Sequence, residues 1–298
     1  MFKVAWSRLF HHPLPEGHRF PMEKYSLLQE QLVHEGTIEP AQLFEPRACS
    51  NLDISLTHTW EYINDLDKGT LSQKAMRSIG FPASPQLVER EKVICGGTWE
   101  CVEHAFEEGV SFNLAGGTHH SSAHKGEGFC LFNDNAVASN LFLQKNPKAK
   151  ILILDLDVHQ GNGTASIFQD SESVFTFSMH GKNNYPLHKE NSHWDIELDD
   201  NTSDKDYLIL LEGALAQLGE TKFDLLFYQA GVDILASDKL GRLGVSIAGC
   251  KKRDETVFNF AKKHEIPTVV TMGGGYSPEI KDIIQAHANT YRVANSIY

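Results

Sequence analysis

Basic residues are scarce in this chain: 27 lysines and arginines stand against 39 aspartates and glutamates in 298 residues, a formal net charge of -12. With a pI near 5.6, the chain lacks the basic face that a direct nucleic-acid partner requires. Also missing is any uninterrupted apolar run of membrane-spanning length, and Met1 to Phe10 holds no apolar core leading to a small-residue cleavage site. These absences predict a soluble, cytoplasmic protein that binds neither nucleic acid nor membrane. Cysteine is sparse as well. Cys49, Cys95, Cys101, Cys130 and Cys250 are scattered, and Cys95 and Cys101 lie too far apart for a C-x-x-C zinc knuckle, so reduced, mostly buried thiols are expected. There is no internal repeat, linker or low-complexity stretch; the acidic segment from Asp195 to Asp206 reads as a solvated loop.

A hydrophobic content of 41% over 298 residues is enough for one large core, and a single α/β domain spanning 1–298 fits best. Met22 to Glu35 is amphipathic, and Pro85 to Gly109 carries a helical pattern broken at Gly96-Gly97. Beyond Gly109, apolar runs alternate with helical segments. Strands are expected at Val110–Leu114, Ile151–Leu156, Val174–Met179, Asp224–Gln229 and Thr268–Met272, with helices near Asn135–Gln144, Asp206–Leu218, Lys251–His264 and Pro278–Ala288. Near-continuous apolar strands of this kind predict a three-layer α/β/α fold around a mostly parallel sheet.

The reactive residues follow those strands. Ile151 to Leu154 runs into Asp155-Leu156-Asp157-Val158-His159, and alternation along an extended segment sends Asp155, Asp157 and His159 to one side. The other strands lead into Gly116-Gly117-Thr118-His119-His120, Ala230-Gly231-Val232-Asp233 and Gly273-Gly274-Gly275-Tyr276. In open parallel sheets, side chains distant in sequence converge beyond such carboxyl ends. Asp157, His159 and Asp233 are the strongest metal-ligand candidates. Three protein ligands without thiolate leave a position open, as catalytic zinc sites do. The carboxylate-rich set also suits Fe(II), Mn(II) or Co(II). The tandem His119-His120 offers a general base and acid, and Tyr276 a phenol for an oxyanion. A second tandem pair, His11-His12, precedes Pro13 and Pro15 with no strand beside it and reads as surface.

These motifs, together with Gly126-Glu127-Gly128-Phe129-Cys130-Leu131-Phe132-Asn133-Asp134 and Gln160-Gly161-Asn162-Gly163, resemble those of the histone deacetylase superfamily, metal-dependent hydrolases of the arginase/deacetylase fold. The resemblance covers almost the whole chain and is strongest to short, class IV-like and bacterial members. It implies a zinc-dependent amidohydrolase that removes acetyl, or a longer acyl group, from Nε-acyl-lysine with metal-activated water. Asp157, His159 and Asp233 would be the zinc ligands, His119 and His120 the catalytic pair, and Tyr276 the transition-state tyrosine. Asp155 would pair with His119 and Asn162 with His120. Because some branches carry Asp where Asn162 stands, His120 is expected to be the more readily neutral base, His119 the more persistently charged, and Asn162→Asp to move the basic limb of the pH-rate profile upward.

The same resemblance makes Gly128 and Phe129 one wall of a substrate channel and Tyr185 the opposite ring, and implies a structural potassium held around Asp155, Asp157, His159, Ser178 and Met179. At the rim, Ile79 to Pro85 contains no acid where peptide-deacetylating members grip the substrate backbone. The expected partner is an acylated lysine of protein or peptide. The alternatives are a small acylated amine such as an acetylpolyamine, for which Glu190 would be the acidic gatekeeper, and a non-catalytic acyl-lysine-binding module. Arginase-like binuclear chemistry would need a second ligand set that the chain does not offer. A homo-oligomer is left open.

Overall fold

Eight parallel strands form one sheet in the computed structural model, which describes residues 1–298. They are β1 (Val4–Ala5), β2 (Leu43–Phe44), β3 (Val110–Asn113), β4 (Ile151–Asp155), β5 (Val174–Gly181), β6 (Trp194–Leu198), β7 (Leu225–Gln229) and β8 (Thr268–Thr271), in the order β2-β1-β3-β8-β7-β4-β5-β6. Helices cover both faces, as the near-continuous apolar strands require: all residues of β3, β4, β7 and β8 are buried. The predicted three-layer α/β/α architecture is the one observed, with every strand pair parallel.

Each of the five predicted strands is present with an end displaced by a residue or two. Three strands were not predicted. β1 and β2 have only two residues each, too few to show a period. β6 overlaps the start of the segment read as an acidic loop. Its Trp194, Ile196 and Leu198 alternate with Asp195 and Glu197, which is the pattern of a half-covered edge strand. The helix at Pro85–Glu108 does not break at Gly96-Gly97. A Cβ at Gly96 would lie 1.7 Å from the Arg47 carbonyl oxygen, so this glycine permits a close approach of chain rather than a turn. The last helix runs to Ile297, past the predicted end at Ala288, because Tyr291, Val293 and Ala294 keep its inner face buried.

The strand order brings β3, β8, β7 and β4 side by side at the centre. The chain leaves β3 for β4 on one side of the sheet and returns later to fill the gap with β7 and β8. Loops following these four strands therefore open into one crevice at the carboxyl edge, where α/β sheets bind ligands.

Candidate functional site

Asp157 and His159 follow β4, and Asp233 follows β7, the strand paired with it. One ligand atom from each lies within 4.8 Å of the others, and all three residues are buried. His159 Nδ1 is 3.1 Å from Asp157 Oδ1 and 3.1 Å from Asp233 Oδ2. Backbone donors fix the carboxylates: Val158 N–H donates to Asp233 Oδ1 at 3.0 Å, His159 N–H to Asp157 Oδ1 at 3.0 Å and Gly274 N–H to Asp157 Oδ2 at 2.7 Å. Burial opposes charging His159, yet hydrogen bonds that it donates to the two carboxylates raise it to about 10. Burial and the neighbouring Asp157 push Asp233 up to about 7. This concentration of negative charge is what a divalent cation compensates. Two carboxylates and an imidazole with no thiolate form a donor set that fits zinc or another borderline divalent ion in a three-ligand, open site.

His119 and His120 stand beside this triad with ring centroids 4.1 Å apart. His119 Nδ1 is 2.6 Å from Asp155 Oδ2, and its Nε2 is 3.9 Å from Asp157 Oδ1. His120 Nδ1 is 2.7 Å from Asn162 Oδ1. The two rings shift in opposite directions. Burial works against charge on His119, but Asp155 and Asp157 outweigh it and raise its pKa. Burial, followed by the neighbouring His119 and His159, drives His120 well below its usual value. Burial also carries Tyr276 well above the ordinary phenol range, with Asp233 and Asp157 adding to the effect, so it remains a donor.

Gly128 and Phe129 both adopt left-handed backbone, with φ of 57° and 69°. For Phe129 this conformation costs roughly 1–2 kcal/mol, and Phe129 N–H is held in place by the Ile79 carbonyl at 2.7 Å. The Phe129 ring packs on Phe20, Phe81 and Tyr276. The opposite candidate, Tyr185, meets His120 edge-on with centroids 5.0 Å apart. Gly128, Phe129, Tyr185, His120, His159 and Tyr276 all line one cavity of about 310 Å³. A smaller cavity of about 40 Å³ lies against His119 and Asp157 and is bordered inside by Tyr25, Arg90 and Cys130. Ser178, in β5, pairs in register with Asp155, which puts two of the residues named for potassium side by side. Glu190 does not line the mouth; its backbone is clasped by Gln160, and its side chain is exposed.

Several supporting residues were given no role by the sequence, although Asp134 closes one of the quoted motifs. Asp134 Oδ1 accepts from Thr118 N–H at 2.8 Å and Thr118 Oγ1 at 2.7 Å, fixing the turn before the histidines. Asp238 Oδ2 accepts from Tyr276 N–H at 2.6 Å. Lys24 is fully buried, its Nζ donating to the Gly273 carbonyl at 3.1 Å and standing 5.7 Å from the Tyr276 ring centroid. Burial lowers it to about 8, against the pull of Asp233 and Asp157. Charged residues rarely occupy such positions, but nothing in the local pattern around Lys24 marks it. The second tandem pair is corrected in half: His11 is exposed as expected, whereas His12 is buried, following Phe10, which is fully buried. The five cysteines are free and buried, and no helix is long and apolar enough to cross a membrane.

Residues 18–291 match the histone deacetylase domain family. The chain is 40% identical to an uncharacterized protein of Picosynechococcus sp., covering 100% of this chain and 99% of that one. It is 31% identical to histone deacetylase 2 of Arabidopsis thaliana, over 87% of this chain and 70% of the relative. Among solved structures, an HDAC homolog crystallised with SAHA superposes with a TM-score of 0.84, covering 100% of this chain and 84% of that one at 24% identity, a likeness of fold.

Proposed function

Because the chain belongs to the histone deacetylase family, we propose that it is a metal-dependent amidohydrolase that removes acetyl from the Nε amine of lysine in a protein or peptide. The observation that carries this reading is the convergence of the Asp157, His159 and Asp233 triad with His119, His120 and Tyr276 beside two cavities that share the Phe129 and Tyr276 rings. A divalent ion held by the three ligands would supply Lewis acidity to the amide carbonyl and make water a better nucleophile.

The protein's own groups supply the rest. His120, kept neutral by burial, takes a proton from the attacking water as a new C–O bond forms; such general-base help is worth about 10²–10⁴-fold. His119, held charged by Asp155, donates a proton to the leaving nitrogen as the C–N bond breaks. Tyr276 donates its phenol hydrogen to the oxyanion that develops on the former carbonyl. Phe129 and Tyr185 flank the apolar stem of the lysine. The inner cavity of about 40 Å³ has room for little beyond small groups, which favours acetyl over longer acyl chains. Structural potassium around Asp155, Asp157, His159, Ser178 and Met179 belongs to the same reading and is supported by the Asp155–Ser178 register.

The mouth favours lysine over a polyamine. Arg19 and Arg242 line it with no carboxylate among the lining residues, so a polycation would meet two guanidinium groups. A purely binding role is disfavoured because a descendant without catalysis has no need to keep both histidines and Tyr276. The test is to load metal-stripped protein separately with Zn(II), Fe(II) and Mn(II), then assay acetyl-, trifluoroacetyl- and longer acyl-lysine peptides and acetylpolyamines. Turnover of acetyl-lysine peptides is expected; no turnover with any metal overturns the enzyme reading, and preference for polyamines overturns the substrate.

A further inference from the structure

His120 is not without a carboxylate: one stands a single residue further out. Asn162 Nδ2 donates to Glu127 Oε1 at 2.6 Å, and Lys125 Nζ holds Glu127 Oε2 at 3.1 Å. We propose that Glu127 is a positioning residue that anchors the Asn162 amide and thereby fixes which nitrogen of His120 carries the proton.

Donor and acceptor capacity decides how each group turns. A carboxylate only accepts, so Asn162 must turn its NH₂ toward Glu127, which leaves Oδ1 facing His120. An amide oxygen also only accepts, so the proton of neutral His120 must sit on Nδ1. Its Nε2 lone pair is then free to act as the base. Without the anchor, the amide can rotate and present Nδ2 to the ring. The proton would move to Nε2, and the base would be lost while every residue of the pair stayed in place. His119 needs no such device, because either oxygen of Asp155 only accepts. Asn162 and His120 are buried, so little solvent competes for the amide, while the Glu127 side chain is 14% exposed and can be changed without opening the core. The arrangement also bears on Asn162→Asp, which would set two carboxylates against each other where the Asn162–Glu127 hydrogen bond is now 2.6 Å. Because a base must be unprotonated to act, a raised His120 moves the acidic limb of the profile upward rather than the basic one, and this is expected only once Glu127 is neutralised.

The inference rests on His120 being the base, and the test separates the two claims. Nitrogen-15 NMR of histidine-labelled protein, with His120 assigned through His120→Gln, reads the tautomer without any turnover. The wild type should show Nδ1–H, and Glu127→Ala should show a mixture with Nε2–H. In the zinc-loaded enzyme, Glu127→Ala should lower kcat about tenfold with KM unchanged, a fraction of what general-base catalysis supplies. Asn162→Asp alone should lose more activity than the Glu127→Gln/Asn162→Asp double variant, in which an amide again faces a carboxylate. An Nδ1–H tautomer unchanged in Glu127→Ala, or an Nε2–H wild type, overturns the proposal even if the enzyme turns over. A tautomer change in a protein that hydrolyses nothing upholds the anchor and removes the proposed function.

Discussion

The inner half of the site and its rim are built on different principles. Inside, Asp155 ends β4, Asp157 and His159 follow it and Asp233 lies just beyond β7; all four are buried, and backbone N–H groups donate to the three carboxylates. At the rim, Tyr185 is 41% exposed, Arg19 lies over the Phe129 ring at 4.9 Å, and Glu127 reaches Asn162 from a loop 35 residues away in sequence. Strand ends fix positions to which chemistry is sensitive. Loops supply contacts that can vary in detail while the inner frame stays intact.

Substitutions should expose this division as a gradient of effect. Asp233→Ala, at the centre, should abolish both metal retention and turnover, measured by metal content after gel filtration alongside circular dichroism; retained metal would break the comparison at its strongest point. Tyr276→Phe should lower kcat by about 10²–10³-fold, the worth of one oxyanion donor, while metal content stays at the wild-type level. Loss of metal in this variant would contradict the separation of ligand from donor.

Asp155→Asn tests the support of a ring rather than the ring itself. Asp155 raises His119 against the effect of burial, so removing its charge should lower that pKa and make the protonated acid disappear at lower pH. The basic limb of the kcat/KM profile should move down, with kcat reduced about tenfold, within the range for acid–base assistance. An upward movement would reverse the assignment. Tyr185→Leu, the outermost change, should raise KM for an acetyl-lysine peptide about fivefold, as expected from losing an aromatic contact of about 1 kcal/mol, and leave kcat unaltered. A large fall in kcat would show that the rim takes part in the chemistry.

The same division decides what could be read in the sequence. Apolar runs ending in Asp157, His159, His119-His120, Asp233 and Tyr276 announced themselves because strand periodicity and turn chemistry are local. The crevice followed from β3, β4, β7 and β8 ending on one edge. Asp238 and Lys24 left no comparable mark, and Glu127, though it lies inside a quoted motif, showed nothing of its role. Each acts through a partner tens or hundreds of positions away, and its side chain alone reads as ordinary surface charge. Gly96-Gly97 misled for the related reason that a glycine needed for contact with Arg47 looks, in one dimension, like a helix breaker.

The ends of the sheet bear on self-association. A strand edge is a template on which another chain can extend the ladder, and proteins with long, flat, apolar edges are prone to fibres and swapped dimers. Here one edge, β2, is two residues long, and the other, β6, carries Asp195 and Glu197, with Asp195 already engaged by Gln160 and by the Ser192 N–H. One edge is too short, and the other too acidic, to invite a second molecule to extend the ladder. The two edges of the sheet are therefore poor templates for a continuous ladder, and concentration alone should not convert the sheet into one.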